Sequence, residues 1–416
     1  MARFEFLNSY IKLPKNVFIL FISTVINSAG SFVYPFLAMF LTIKLGYSEY
    51  FAGLMLTTVI ITESMGRLIG GKLADWVGRK IVIIVLSLIG AAIYISIAFI
   101  KTPHLIMVLI ISAGFIKSGA FPAINALIMD VTTKKNRNDA FSLIYLGHNI
   151  GFAVGPLAAG FLFINHISLI FLIDALTTIA ALIPVIFFVK ETLNIKAGIY
   201  LGQTDISIDE QAEKGNVIKV FLKKPILIGF ALISIIFSFV YSQSSYGLPI
   251  YLDSLFRESG PKFYGFLMTV NAVVVIFMTI LLITAMKKMN PIINISLAGV
   301  LFAVGFGMLF FVRIFAFFVI STIIWTFGEI INSVSSNVLI ASYSPITHRG
   351  RFNAIIYFIS GAGFAVGPLL MGLYINSYGI KNIWFFIFIL ALFAAVLMLV
   401  LFLLEHRRNI QIRSKF

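Results

Sequence analysis

GFAVGPLAAG, residues 151–160, returns as GFAVGPLLMG at residues 363–372. The match runs upstream without a gap. RNDAFSLIYLGHNIGFAVGP (137–156) set against RGRFNAIIYFISGAGFAVGP (349–368) pairs Arg137 with Arg349, Ile144 with Ile356 and Tyr145 with Tyr357. Gly151, Gly155 and Gly160, like Gly363, Gly367 and Gly372, fall four or five residues apart. On a helix this spacing makes a flat face that a second helix can approach closely. Pro156 and Pro368 each remove a backbone donor and are expected to bend the helix that carries them.

Both copies lie in long apolar runs. Of 416 residues 60% are hydrophobic and only 11% charged, too little charge to cover the surface of a soluble domain. A helical crossing needs about 20 apolar residues. Twelve such runs are read, near 16–42, 48–70, 81–100, 103–129, 140–163, 167–189, 225–247, 264–286, 290–312, 314–342, 352–375 and 381–405. The chain is therefore expected to be an all-α integral membrane protein. Its first run, near 17–41, is too long for a cleaved leader and is read as a retained span. Cysteine is absent, which excludes disulfides, iron–sulfur sites and thiol chemistry.

A formal net charge of +15 suggests nucleic acid in a soluble protein, but its placement here marks topology. With both termini cytoplasmic, 23 of the 31 Lys and Arg fall on that side, six on the other, and two, Arg67 and Lys117, within spans. That bias is the positive-inside pattern and sets the expected orientation in a cell membrane. No nucleic-acid partner is expected.

One long hydrophilic stretch, 191–222, divides the chain into residues 1–190 and 223–416, each with six spans. The repeated motif falls in the fifth span of each half. An even number of spans per half makes the repeats parallel, related by an axis along the membrane normal. This is a transporter architecture, with substrate expected between two six-helix bundles near the bilayer midplane.

Between the second and third spans lies GGKLADWVGRK, residues 70–80, with Gly71, Asp75, Gly78, Arg79 and Lys80 at fixed spacing. This stretch resembles the loop motif of the major facilitator superfamily, and the GFAVGP elements resemble that superfamily's fifth-span antiporter motif. Trp76 departs from the pattern, which has a basic residue there, and AMKKMN (285–290) keeps only a basic pair in the second half. The resemblance implies that Arg79 reaches Asp130 and that the cluster latches one side of the transporter. Asp75 can also cap backbone donors or meet the positive end of a helix. Nearby GRLIGGKL, from Gly66, nearly spells a phosphate loop, but Leu73 replaces the hydroxyl residue and a span ends there, so ATP binding is rejected. Neither HExxH nor GxSxG occurs, so no enzyme is expected.

Ionisable groups inside a span cost about 2.5–3.5 kcal/mol and are functional candidates by default. Glu329, in IIWTFGEIINSVSSNVLIA with Asn332 among its polar neighbours, is the main one. The sequence around it resembles the twelve-span drug:proton antiporters, in which an equivalent carboxylate serves protons or cationic substrates. Asp130 and Glu63 are further proton-coupling candidates, although Glu63 can instead pair with Arg67 one turn away. Lys117 either snorkels or balances a carboxylate, and Asp174 is read as solvated near the outer surface. Asn27, Tyr34, His148, Asn149, Gln243 and Asn271 are candidate substrate groups, with Tyr241, Tyr246 and Met268 as adaptable apolar contacts.

The expected activity is proton-coupled efflux of hydrophobic or cationic compounds by alternating access, in a monomer driven by the proton gradient without cofactor or metal. Three alternatives stand beside it. One is proton-coupled uptake of peptides or other small solutes, although INSAGSFVYPF in span one lacks the acidic motif of peptide symporters. The others are a lipid or lysolipid flippase and a non-transporting membrane receptor.

Overall fold

The computed structural model describes residues 13–133, 136–193, 221–286, 288–344 and 349–413, so most of segment 191–222 lies outside the described residues. Among the described residues the chain is helical throughout, without strands. The first run is α1 (Lys15–Ala29) and α2 (Val33–Met39). Then come α3 (Glu49–Val77), α4 (Arg79–Ile97), α5 (Pro103–Ser118) and α6 (Ala120–Val131). They are followed by α7 (Arg137–Phe152), α8 (Gly155–Leu162) and α9 (Ile167–Phe188). After the central segment lie α10 (Pro225–Ser242), α11 (Gly247–Phe256), α12 (Gly260–Met286) and α13 (Pro291–Gly307). The last three are α14 (Phe315–Tyr343), α15 (Arg349–Tyr378) and α16 (Ile383–Arg413).

Local chemistry sets several boundaries. Pro103, Pro225 and Pro291 open their helices, where a missing N–H costs nothing and the fixed φ is already helical. Asn290 caps α13 by accepting from the Ile292 N–H at 2.8 Å. Between α3 and α4 the chain turns at Gly78 with φ +120°, a conformation that side chains rarely adopt.

Among the described residues, eleven helical stretches are long and apolar enough to cross a membrane. The sequence reading has twelve. The difference lies in Pro225–Met286, which runs through α10, α11 and α12 as a single stretch of 62 residues. α10 ends at Ser242, and only short turns link it to α11 and α12, so the stretch counts once although it holds three helices.

The chain forms two compact units. One comprises residues 1–46, 55–205 and 256–276, the other 47–54, 206–255 and 277–416. Relative to the sequence halves, the start of α3 and most of the first five turns of α12 are thus exchanged. In the first unit α1 packs on α7 and α9, and α4 on α5 and α9. In the second, α10 packs on α15 and α16, and α13 on α14 and α16. The neighbour scheme repeats, as the duplicated motif demands.

The motif glycines sit at these contacts. A Cβ on Gly151 would come 2.5 Å from the Val25 carbonyl, and one on Gly363 would come 1.9 Å from the Ile235 carbonyl. Further along, Gly160 faces the Pro261 carbonyl and Gly372 the Glu49 carbonyl, at 2.6 and 2.7 Å from a Cβ position. The two prolines behave differently. Pro156 lies at the start of α8 after a helix break, whereas Pro368 sits inside the unbroken α15. In the first copy the Thr269 hydroxyl donates to the Ala153 carbonyl at 2.6 Å, beside the break.

Candidate functional site

Three clusters of polar chemistry stand out. The first surrounds the α3–α4 turn. Arg79 is buried, with its side chain 5% exposed; its guanidinium donates to the Asp75 carboxylate and the Ala74 carbonyl, both at 3.0 Å, and forms an ion pair with the Asp130 carboxylate at 3.1 Å. Asp130 is 1% exposed and also accepts from the Thr192 hydroxyl at 2.9 Å. Gly71 packs beside Pro122. Lys80 donates its ammonium to the Ile186 carbonyl at 2.7 Å.

Sequence reasoning missed the residue that completes this cluster. Glu191, just past α9, accepts from the backbone N–H groups of Arg79 (2.9 Å), Lys80 (3.0 Å), Thr192 (2.8 Å) and Leu193 (3.1 Å). It therefore caps the orphan donors at the start of α4. Partial burial pushes its pKa up, but the four N–H donors outweigh that and hold it below the usual 4.5. A depressed carboxylate contributes stability that is complete above the unfolded value and lost as pH falls through the folded one. Glu191→Gln is thus expected to lower thermal stability at neutral pH and to match the wild type in strong acid. Gly78→Ala should do similar damage at every pH, because its Cβ would lie 2.5 Å from the Glu191 carboxylate and its φ is strained by about 1–3 kcal/mol. Melting curves across pH separate the two.

The second cluster is Glu329. It lines a cavity of about 300 Å³ within the second unit, together with Asn332, Ser333 and Ser336 from α14. Opposite are Phe230, Phe237 and Tyr241 of α10, Phe302 of α13, and Tyr357 and Phe364 of α15. Tyr241 makes ring contacts with Phe302, Trp325 and Phe364 at 6.0–6.5 Å. The Tyr357 hydroxyl donates to Asn337 at 2.9 Å. One carboxylate in an aromatic, hydroxyl-rimmed cavity suits a bulky apolar ligand bearing positive charge. A smaller groove of about 160 Å³, lined by Met286, Met289, Ile331 and Val338, carries no ionisable lining residue.

The third cluster corrects the reading of Asp174. That residue is not solvated at a surface but buried at 5% exposure in α9, and its carboxylate pairs with Lys117 at 2.8 Å. Lys117 therefore balances a carboxylate. Glu63 and Arg67 do pair, at 3.3 Å.

The remaining candidates scatter. Asn27 accepts from Thr178 at 3.1 Å, and Tyr34 is 38% exposed on α2. His148 is exposed and stacks on Phe152. Asn149 is buried and donates to the Tyr145 carbonyl of its own helix. Gln243 has no exposed surface, and its amide donates to Phe239 and Ser242 at the end of α10, so a solute does not reach it in this conformation. Asn271 is buried in the first unit.

Comparison with known proteins matches this arrangement. A family model described as the Major Facilitator Superfamily matches residues 20–345 and 260–415. The chain is 26% identical over 84% of both lengths to the uncharacterized MFS-type transporter YqjV of Bacillus subtilis. It is 25% identical to a Na(+), Li(+), K(+)/H(+) antiporter of Planococcus maritimus, covering 82% of this chain and 85% of that one. Multidrug resistance protein 2 of Bacillus subtilis is 24% identical over 66% of this chain and 65% of its own. Among solved structures, a peptide transporter POT in complex with sulfate superposes with a TM-score of 0.74 over 95% of both chains at 17% identity, a likeness of fold. Family match, multi-pass helical fold and interior charges agree: the chain belongs to the major facilitator superfamily and is a membrane transporter, not an enzyme.

Proposed function

We propose that this transporter exports hydrophobic, cationic compounds in exchange for protons by alternating access. The observation that carries the reading is Glu329 in its aromatic cavity. A carboxylate there can hold either a proton or a lipophilic cation, and competition between the two is what exchange requires. The names of two relatives, a cation/H(+) antiporter and a multidrug resistance protein, support it. In this reading the chain crosses the cell membrane twelve times, Pro225–Met286 counting twice, as two six-helix halves with both termini cytoplasmic. It works as a monomer, needs no cofactor, and uses the Asp75–Arg79–Asp130–Glu191 cluster as a latch. Each net charge exchanged gains about 2.3 kcal/mol per 100 mV of membrane potential.

The test uses proteoliposomes with an imposed pH gradient and a panel of lipophilic cationic dyes. Wild type should concentrate at least one dye only when the gradient is present. Glu329→Gln should lower that accumulation at least tenfold while leaving the protein folded. Parallel assays with Na(+), Li(+) and K(+) ask whether inorganic cations replace the dyes. Gradient-insensitive wild type across every dye would sink the drug-export reading; full coupling in Glu329→Gln would remove Glu329 from it.

A further inference from the structure

The groove at the α12–α13 turn is the second half's counterpart of the Arg79 cluster. The 212-residue offset of the duplicated motif also relates two helix starts, Arg79 of α4 and Pro291 of α13. It pairs Ala74, Val82 and Ala123 with Met286, Asn294 and Ser335. In the first unit those three positions are buried in one apolar core, and Arg79 ties the helix ends together beside them. In the second unit their counterparts line a groove of about 160 Å³. Proline stands at the place of the arginine, and Asn290 supplies the helix cap that Glu191 provides in the first unit.

The groove carries an unmet acceptor. Asn294 lines it at 5% exposure, and its amide N–H donates to the Met286 carbonyl at 3.3 Å. Asn294 Oδ1 has no partner among the described residues. A buried acceptor without a donor is costly, so an occupant that brings a donor is favoured. Presenting Oδ1 to it takes only a rotation of the amide about its last torsion, which is soft in asparagine.

Charge and shape narrow the occupant. The turn reads AMKKMN, and Lys288 is exposed in it. Glu329 is the only acid in the sequence between Glu258 and Glu405, and it lines the other cavity, on the opposite face of α14. The groove therefore has no carboxylate for a cation, whereas its turn attracts an anion. Its floor, Ile330 and Ile331, is buried, and its rim, Ile283, Met289 and Val338, is exposed and apolar. Such a cleft has room for a stretch of one acyl chain, and Met286 and Met289 adapt to a flexible one.

We propose that this groove binds an anionic phospholipid whose headgroup carries a free hydroxyl, phosphatidylglycerol being the simplest. One acyl chain lies against Leu282, Ile330 and Ile331, the phosphate meets Lys288, and the headgroup hydroxyl donates to Asn294 Oδ1. The lipid bridges α12, α13 and α14 in the second unit, as Arg79 bridges helix ends in the first. This site is independent of what the transporter carries.

Native mass spectrometry of the full-length, delipidated protein tests it, with dioleoyl lipids titrated singly. Wild type should bind phosphatidylglycerol about tenfold more tightly than phosphatidylmethanol, which is anionic but lacks a headgroup donor; that is the scale of one net hydrogen bond. Phosphatidylmethanol should in turn bind about fivefold more tightly than phosphatidylcholine, the contribution of one lysine near a membrane surface. Asn294→Leu should erase the first difference and keep the second, and Lys288→Gln the reverse. A phosphatidylglycerol with a photoreactive diazirine in its acyl chain should label the peptides carrying Leu282 and Ile331. Val338→Trp, at the exposed rim, should block that labelling. Wild type that does not separate phosphatidylglycerol from phosphatidylmethanol overturns the proposal. So does phosphatidylethanolamine binding as tightly as phosphatidylglycerol, or labelling spread evenly over the apolar helices. If Asn294→Leu fails to fold, labelling of wild type against Val338→Trp decides the site.

Discussion

Gly363→Ala is expected to destabilise the transporter by about 3 kcal/mol or more, while Gly361→Ala two residues away is neutral or slightly stabilising. The difference is geometric. A methyl group on Gly363 would stand 1.9 Å from the Ile235 carbonyl oxygen, and that atom belongs to helical backbone, which cannot rotate aside as a side-chain tip can. Either α10 and α15 separate along their length or the variant does not fold. A Cβ at Gly361 meets nothing within 4 Å, and there the change only removes glycine's helix penalty of about 0.5–1 kcal/mol. Thermal denaturation of the two variants, followed by the fraction remaining monodisperse, measures the contrast. Equal melting points would mean that α10 and α15 do not approach as described.

Arg79→Ala is the second large effect. Removing one partner from a buried ion pair costs about 3–5 kcal/mol, because the surviving charge stays desolvated. Here the survivor is Asp130, 1% exposed. Arg79→Lys should recover only part of the loss, since one ammonium cannot reproduce a planar fork that reaches two carboxylates and the Ala74 carbonyl. Asp75→Asn is the control. Its carboxylate is 75% exposed, and an exposed pair contributes about 1 kcal/mol or less. Denaturation in detergent should therefore rank the variants as Arg79→Ala, Arg79→Lys, Asp75→Asn, from most to least damaged.

How much of this was legible beforehand depends on the distance over which each feature acts. The duplicated glycines could be read directly, because close helix approach requires the absence of a Cβ and that absence is written in the sequence. Arg79 and Asp130 were placed through the resemblance of their motif. The Lys117–Asp174 pair was open as one of two alternatives for the lysine and misread for the aspartate. Its partners are 57 residues apart, and Asp174 also accepts from the Phe32 and Val33 N–H groups at a helix break that hydropathy does not register. Glu191 stands just outside a span, and no motif in the sequence marks it. Its role comes from four N–H groups that converge once Gly78 turns the chain. Gln243 was misleading for the opposite reason: a polar residue amid apolar ones suggested a cavity, yet α10 ends there and the amide serves the helix terminus. Within Pro225–Met286 hydropathy reads two spans, and the structure divides the stretch into three helices joined by short turns.

The exchange of short segments between the compact units bears on how the protein is made. Pro156 and Gly160 on α8 pack against Gly265 and Pro261 of α12, which lie beyond the central segment. During synthesis, the first six apolar runs leave the ribosome with this glycine face uncovered. The first unit cannot close until residues 256–276 have been translated. Until then the Gly160 face of α8 lacks its partner helix, and a nascent chain arrested in the central segment holds an incomplete unit. A ribosome that pauses between Lys190 and Lys224 would leave a half-built protein whose first six apolar runs are inserted but not yet locked.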